Sequence, residues 1–486
     1  MPSPKLKKRK LENNVLTPDF CVIGAGSGGL SFAAGVVQMG ASVVVLERGK
    51  MGGDCLNYGC VPSKALIAAA KSFHENVQGL KFGWKASSAK VDFKKVQAHI
   101  KNVIAAIAPN DSVERFESLG VRVIKAEGKF VSADTVKAGK QLIKAKRFII
   151  STGSSAFVPD IPGLDSVKYL TNETIFDLKT LPKNLVVIGG GPIGIEIAQS
   201  FSRLGSKVLV LEAFTALPKD DPEIVSQLKS TIKKEGVVLK EGVLITEIKK
   251  SGRETEIHYK LNGKKYSAKA SQLLVAAGRR PNLSSLNLKE AGIESTPRGI
   301  TVDRFLRTSN KRVFAIGDCI GGYQFTHVAG YHAGLVIRNS IFRLRSTVKT
   351  IQIPWVTYTD PEIAHVGFTE SELLEQKISH KILSMDLSEN DRAHAEHKTN
   401  GKIKVLVSPG GNILGVTIMA SGAGEMIVPW VLAVQNNLKI SAIASLIVPY
   451  PTLSEISKKA AGSYFKDKIF SPFMQKTVKF LMRISC

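Results

Sequence analysis

Cys55 and Cys60, separated by four residues, are the most reactive pair in this chain of 486 residues. They stand in the segment Gly52-Gly53-Asp54-Cys55-Leu56-Asn57-Tyr58-Gly59-Cys60-Val61-Pro62-Ser63-Lys64. Two thiols this close can exchange a disulfide, hold a soft metal, or lie as unrelated buried side chains. A regular helix rises about 7.5 Å over five residues, more than the roughly 4.4–6.8 Å between the Cα atoms of a bridged pair. Bridging therefore needs an irregular turn, for which Asn57 and Gly59 are suited. A zinc site needs further Cys or His at ligand spacing, and Cys21, Cys319 and Cys486 supply no second pair. No metal site is expected, and a redox-active dithiol is the better reading.

The elements that must position such a pair are written twice in the chain. Phe20-Cys21-Val22-Ile23 reads as a buried strand that runs into Gly24-Ala25-Gly26-Ser27-Gly28-Gly29, then a helical stretch, then Val43-Val44-Val45-Leu46 and Glu47. Leu185-Val186-Val187-Ile188 runs likewise into Gly189-Gly190-Gly191-Pro192-Ile193-Gly194, a helix, Val208-Leu209-Val210-Leu211 and Glu212. In both units the acid follows the first glycine by 23 residues. The first glycine permits a tight turn, the second lets backbone approach a pyrophosphate, and the third lets helix pack on strand. The pyrophosphate then faces the unpaired N–H groups and positive dipole end of the helix, and the acid can accept from ribose hydroxyls. A single glycine turn is weak evidence. Two complete units, each with strand, helix and acid in place, predict two dinucleotides.

Length and composition agree with a multidomain globular protein. At roughly 150 residues per domain, 486 residues suggest about three domains. Hydrophobic residues at 44%, charged at 22% and aromatic at 7% exclude disorder and collagen-like repeats as the main state. No apolar run reaches the ~18–20 residues of a membrane span. Residues 1–16 lack the apolar core of a secretory signal, which predicts a cytoplasmic protein. Five cysteines do not make a secreted disulfide framework. Lys+Arg 67 against Asp+Glu 41 leaves a net charge of +26, mostly scattered lysine apart from the block Lys5, Lys7, Lys8, Arg9 and Lys10. That block reads as a solvated flexible tail or as an import or phosphate-binding arm. No zinc-finger or helix-turn-helix spacing accompanies it, so nucleic acid is not an expected partner.

The cysteine segment resembles the redox disulfide motif of the class I pyridine nucleotide–disulfide oxidoreductases, which include lipoamide dehydrogenase, glutathione reductase and mercuric reductase. The resemblance runs from about residue 17 to 466. It takes in Ser151-Thr152-Gly153, Ala276-Ala277-Gly278-Arg279-Arg280-Pro281-Asn282, Val313-Phe314-Ala315-Ile316-Gly317-Asp318 and Pro354-Trp355-Val356-Thr357-Tyr358-Thr359-Asp360-Pro361-Glu362. It implies an α/β fold: a basic tail over 1–16, a FAD-binding domain over 17–160 and 282–348, and an NAD(P)-binding domain over 161–281. An α+β dimerisation domain over 349–466 and an amphipathic tail over 467–486 complete it. FAD would lie on Gly24, Gly26 and Gly29 with Glu47 on the adenosine ribose and Asp318 on the flavin side-chain hydroxyls. Arg48, Gly53, Lys64, Gly128, Thr152, Gly153 and Thr326 would complete that site. NAD(P)H would lie on Gly189, Gly191, Gly194, Glu212 and Gly278. Cys60 is then the thiolate next to the flavin, Cys55 the thiol that attacks the acceptor, and Lys64 the flavin-side cation paired with Glu196. A cation there stabilises both a thiolate and a reduced flavin.

The chain departs from the family near its C-terminus. The disulfide-reducing members carry His-Pro-Thr followed by Glu, the histidine serving the partner subunit's dithiol. This chain has Tyr450-Pro451-Thr452 with Glu455 in place. A phenol, with a reference pKa near 10 against ~6.5 for imidazole, is a poor proton shuttle at neutral pH. Mercuric reductases also carry tyrosine here, and Asn390-Asp391-Arg392-Ala393 strengthens that likeness. They use two adjacent C-terminal cysteines, however, and this sequence has Cys486 alone. Glu212 with no arginine in 213–217 favours NADH over NADPH.

The tail 467–486 allows two readings. Ser471-Pro472 starts a helix in which Phe473, Met474, Val478, Leu481 and Ile484 lie near one face and Lys476, Lys479 and Arg483 near another. It packs on its own subunit, or it lies on an anionic membrane surface. The expected protein is a homodimeric, mercuric-reductase-like FAD oxidoreductase that passes hydride from NAD(P)H to the Cys55/Cys60 pair and on to a small acceptor. The alternatives are an NAD(P)H:quinone reductase that uses the flavin directly, and a redox-sensing flavoprotein that acts by binding a partner. His327, His332, His365 and His394 are scattered and read as structural.

Overall fold

The computed structural model describes residues 15–83 and 90–484; the block Lys5–Lys10 and Cys486 lie outside the described residues. Phe20–Ile23 and Val43–Leu46 are buried at every position, as strands covered by helices on both faces must be. They sit inside a five-stranded parallel sheet in the order Val313–Ala315, Arg147–Ile150, Phe20–Ile23, Val43–Leu46, Arg122–Ile124. Helix Ser27–Gln38 returns across one face and packs on helix Thr326–Ser340. Gly28 lies against Ala329 and Gly35 against Ile337, where no larger residue fits without displacement.

A second parallel sheet repeats this plan. Its order is Gln272–Val275, Asn184–Ile188, Lys207–Leu211, Val237–Lys240, with helix Pro192–Arg203 in the place of Ser27–Gln38. In each half the chain leaves the edge strand, makes a three-stranded antiparallel excursion, and re-enters beside the glycine strand. The excursions are Gly128–Ser132, Thr135–Ala138 and Gln141–Ile143 in the first half, and Leu244–Ser251, Glu254–Leu261 and Lys264–Ala270 in the second. The internal repeat thus extends well past the strand–turn–helix units visible in the sequence. One boundary shifts: Val15 and Leu16, placed in the N-terminal tail on sequence grounds, pair in parallel with Leu142 and Ile143. An open strand edge satisfies their backbone groups, which a tail would leave to water.

The two halves meet through two short crossing segments. Ser154–Ala156 pairs antiparallel with Arg279–Pro281, while Thr152 and Asn282 exchange side-chain hydrogen bonds with each other's backbone carbonyls. The third sheet is antiparallel, in the order Trp355–Thr357, Glu362–Gly367, Ile413–Ala420, Lys402–Val407, Lys381–Asp386. Trp430, Ile456 and Ala460 from the covering helices close its core. A buried ion cluster ties this domain to the second dinucleotide unit: Arg203 lies 2.7 Å from Glu235 and 2.9 Å from Asp360. The chain ends in two helices, Lys466–Ile469 and Pro472–Ile484, and no residue of the second is buried.

Candidate active site

The redox segment folds as the two thiols require. A short helix, Gly53–Asn57, stops at Tyr58, and helix Cys60–Val77 starts afresh after Gly59. Gly59 makes the break possible: its backbone is at φ −119°, ψ −109°, and a Cβ there would stand 2.7 Å from the Asp54 carboxylate. Cys60 is thereby placed at a helix N-terminus, which favours a thiolate. Cys55 and Cys60 lie within hydrogen-bonding reach of each other. Cys60 also meets the Thr326 hydroxyl at 3.3 Å. The hydrogen bond from Cys55, with help from Thr326 and Lys64, lowers the Cys60 pKa to about 6. The same bond, together with burial, pushes the Cys55 thiol well up. The pair holds one proton on Cys55 and negative charge on Cys60.

One turn along the same helix, Lys64 Nζ lies 3.0 Å from Glu196 Oε2, on the helix that follows the second glycine turn. Burial opposes the ammonium charge, and Glu196 with Cys60 outweighs it, so the Lys64 pKa is raised. Lys64 also sits over the Tyr358 ring, 4.1 Å from its centroid, while the Tyr358 N–H donates to Glu196 Oε1 at 2.8 Å. Buried Glu196 thus has both oxygens engaged, and three elements hold one cation beside the thiolate.

The two glycine turns are near-duplicates at the atomic level. Gly24 and Gly189 both have positive φ, +104° and +113°. A Cβ on Gly29 or Gly194 would lie 2.0 or 2.1 Å from the carbonyl of the first glycine in its own turn. Glu47 accepts from the backbone of Ala25 and Gly49, and Glu212 from Gly190 and Phe214. Neither helix start, at Gly26 or Gly191, is capped by a side chain. Nothing lies within 4 Å of a Cβ built on Gly153, Gly191 or Gly278. Bare helix N–H groups, open backbone and an oriented carboxylate fit a dinucleotide at each turn.

Gly24, Glu47, Arg48, Gly128 and Thr152 line a single small cleft at the first turn. Gly53 closes on the backbone of Gly26 there, and Arg48 pairs with Glu127 at 2.9 Å. A larger hollow, about 570 Å³ between the second parallel sheet and its antiparallel excursion, holds none of the candidate residues.

Asp318 connects to the cysteine segment through residues that sequence reasoning passed over. Ser154 donates to Asp318 at 2.6 Å, Arg279 donates to Ser154 at 2.8 Å, and Arg279 lies 3.2 Å from Asp54, the neighbour of Cys55. Asn172 donates to the other Asp54 oxygen at 3.0 Å. Burial raises the Asp318 pKa against the pull of Ser154 and Arg279. Arg279 and Tyr358 both stood in motif segments, yet their direction toward the site was not readable from spacing.

Tyr450 and Glu455 stand in the C-terminal domain, and their contacts there are with its own residues. Tyr450 is exposed, and its hydroxyl donates to Asp391 at 2.9 Å; Glu455 opens helix Glu455–Ser463. The Asp391 carboxylate holds the phenolic proton and raises the Tyr450 pKa. The four histidines bind local groups: His332 accepts from Gly317, His365 contacts Thr417 and Gly367, His327 Pro354, and His394 Ser388.

Comparison with known proteins agrees with this geometry. Residues 18–333 match the pyridine nucleotide-disulphide oxidoreductase family, and residues 353–461 match its dimerisation domain. The mercuric reductase of Bacillus cereus is 36% identical over 452 residues, covering 92% of this chain and 72% of that protein. The dihydrolipoyl dehydrogenase of Geobacillus stearothermophilus is 35% identical over 449 residues, covering 90% and 94%. Among solved structures, LpdA from Mycobacterium tuberculosis superposes with a TM-score of 0.84 at 25% identity, covering 92% and 99%. The HOCl-induced flavoprotein disulfide reductase RclA from Escherichia coli shares the fold, with a TM-score of 0.82 at 24% identity and coverage of 91% and 99%.

Proposed function

The chain belongs to the pyridine nucleotide-disulphide oxidoreductase family, and from that premise we propose how its residues serve an FAD-dependent, NAD(P)H-driven disulfide oxidoreductase that works as a homodimer. When bound, NADH would supply two electrons and FAD would relay them to reduce Cys55 and Cys60 to the dithiol. The observation that carries the reading is the geometry around that pair: Cys60 at a helix N-terminus against the Thr326 hydroxyl, with the Lys64–Glu196 ion pair one turn behind it.

In this reading FAD is held by residues of 17–160 and 282–348, NADH by 161–281, and the dimer by 349–466. Asp318 and Thr326 serve the flavin side, and Glu47 and Glu212 the two riboses. Glu212 would repel a 2′-phosphate, and no arginine follows it to offset that repulsion, which supports NADH as the preferred donor.

Turnover on a disulfide acceptor RSSR balances within the chain. Cys55 loses its proton and attacks one sulfur of RSSR, forming a Cys55–SR bond and releasing RS⁻. The Cys60 thiolate then attacks Cys55 sulfur, the second RS⁻ leaves, and the Cys55–Cys60 bond closes. Two electrons pass to the acceptor, and both thiolates take up protons. The acid–base position facing Cys55 would be filled by Tyr450 of the partner subunit with the partner subunit's Glu455 beside it. A phenol whose proton is held by Asp391 is a weak base, so small disulfides should turn over slowly. This supports a mercuric-reductase-like enzyme whose acceptor binds thiolates without a fast proton relay. Peripheral membrane contact through 467–486 belongs to the same reading.

An acceptor screen with NADH tests it, using lipoamide, glutathione disulfide, Hg²⁺ and a quinone on wild type and Cys55→Ser. Loss of thiol-dependent acceptors with retained quinone reduction is expected for Cys55→Ser. If wild type reduces only the quinone, direct flavin chemistry replaces this reading. Equal kcat/KM for NADPH and NADH would overturn the donor preference.

A further inference from the structure

Helix Pro472–Ile484 is the one element singled out in the sequence that the redox chemistry leaves unused. None of its residues is buried, although Phe473, Phe480, Leu481, Met482 and Ile484 are all more than half exposed. The exposed apolar surface continues back through Ile469 and Phe470. Among the described residues, none buries the apolar side of this helix.

Its charge is strictly segregated. At about 100° per residue, Lys476, Lys479 and Arg483 share an arc of roughly 60°. Phe473, Met474, Val478, Phe480, Leu481, Met482 and Ile484 spread over an opposing arc of about 200°, interrupted only by Thr477, whose hydroxyl donates to the Phe473 carbonyl at 3.0 Å. Asp467 is the last acid in the sequence, so residues 468–486 carry only positive side-chain charge.

An apolar arc this wide is broader than the stripe of ~100° or more that a surface helix commonly turns to a protein core, and here its large side chains stand exposed. A fluid acyl layer, by contrast, covers half a helix circumference at once, with lysine and arginine stems reaching from the flanks to the headgroups. Thirteen residues rise only about 20 Å, too short to cross a hydrocarbon core of ~30 Å. Among the described residues no helix is long and apolar enough to cross a membrane.

We propose that residues 466–484 are an anionic-lipid-binding element that lays the enzyme on a membrane surface, with the apolar arc in the acyl boundary and the three cations among acidic headgroups. The net charge of +26 adds long-range attraction to such a surface. The inference rests on the homodimer reading only in that two tails per dimer would act together; lipid binding itself is independent of the acceptor.

Vesicle flotation of the FAD-loaded full-length dimer tests this, with phosphatidylcholine alone against phosphatidylcholine containing about a third phosphatidylserine. Wild type is expected to float with the anionic vesicles and not with the neutral ones. Replacing Lys476, Lys479 and Arg483 by Gln should weaken binding about a hundredfold, at roughly fivefold per cation. The double variant Phe473→Ser/Phe480→Ser should lose binding while keeping NADH-dependent dye reduction. The same activity assay reports separately on the oxidoreductase reading. No flotation of wild type, or undiminished flotation of the phenylalanine variant, overturns the proposal. So does a phenylalanine variant that becomes monomeric in sedimentation, because the face would then be a subunit contact.

Discussion

At the scale of single residues, the site is governed by where one proton sits. Cys60 accepts the hydrogen bond of Cys55, with Thr326 and Lys64 beside it, so its pKa falls to about 6. A depressed thiol pKa means the reactive thiolate is present above that pH and lost as pH falls through it. Alkylation of reduced enzyme by iodoacetamide should therefore show a Cys60 midpoint near pH 6, read by peptide mass spectrometry. Lys64→Met removes the opposite charge and should move that midpoint up by about one unit. An unchanged midpoint would mean that Cys55 and Thr326 do the lowering alone. Tyr450 poses the complementary question. Tyr450→His supplies an imidazole where a phenol is bound to Asp391. Turnover of small disulfides should rise, with general acid–base catalysis worth ~10²–10⁴-fold as the upper range. No gain would mean that another group already serves Cys55.

At the scale of elements, the two glycine turns are one structural solution used twice, so they can be broken separately. A Cβ on Gly194 would collide with the Gly189 carbonyl at 2.1 Å, and the backbone has no side chain there to yield. Gly194→Ala should therefore open the second turn. FAD content, read by absorbance, is expected to stay near wild type, while reduction by NADH falls by an order of magnitude or more. Gly29→Ala makes the same collision in the first turn, at 2.0 Å, and should cost bound FAD instead. If both substitutions affect FAD equally, the two turns do not serve separate dinucleotides.

At the scale of the whole molecule, a few buried ion pairs hold the second dinucleotide unit against the C-terminal domain. The Arg203 side chain is only 4% exposed and serves both Glu235 and Asp360. Arg203→Ala would leave the largely buried Glu235 and Asp360 carboxylates without their shared cation, with only Lys71 still beside Asp360 at 3.5 Å, and should cost ~3 kcal/mol, the low end for a broken buried pair. It should appear as a lower urea midpoint. Burial resists the Asp360 charge, but Arg203 and Lys71 outweigh it and hold its pKa below the usual carboxylate value. Such a group stabilises the fold fully above the unfolded carboxyl pKa of about 3.9, and that stability is lost as pH falls through the folded value. Wild type should accordingly lose stability on acidification more steeply than Arg203→Ala.

Local pattern carried much of this protein. The strand–glycine–helix–acid units, the broken turn at Gly59 and the cationic arc of 472–484 all depend on residues near one another in sequence, where backbone sterics and helical period act directly. The family likeness extended those units to Lys64, Glu196, Asp318 and Tyr450. What distance along the chain conceals is direction. That Tyr358 underlies Lys64, that Arg279 and Asn172 converge on Asp54, and that Asp391 binds the Tyr450 hydroxyl are contacts across 59 to 294 residues. Each depends on how separate sheets pack, and no spacing rule encodes that. The pairing of Val15 and Leu16 on an open sheet edge, and the exposure of the tail helix among the described residues, are likewise outcomes of packing. Sequence alone determined which chemistry the chain carries, because that resides in short segments with their own stereochemistry. Only the tertiary structure decided which charges stand beside the thiols, because electrostatic coupling depends on distance in space.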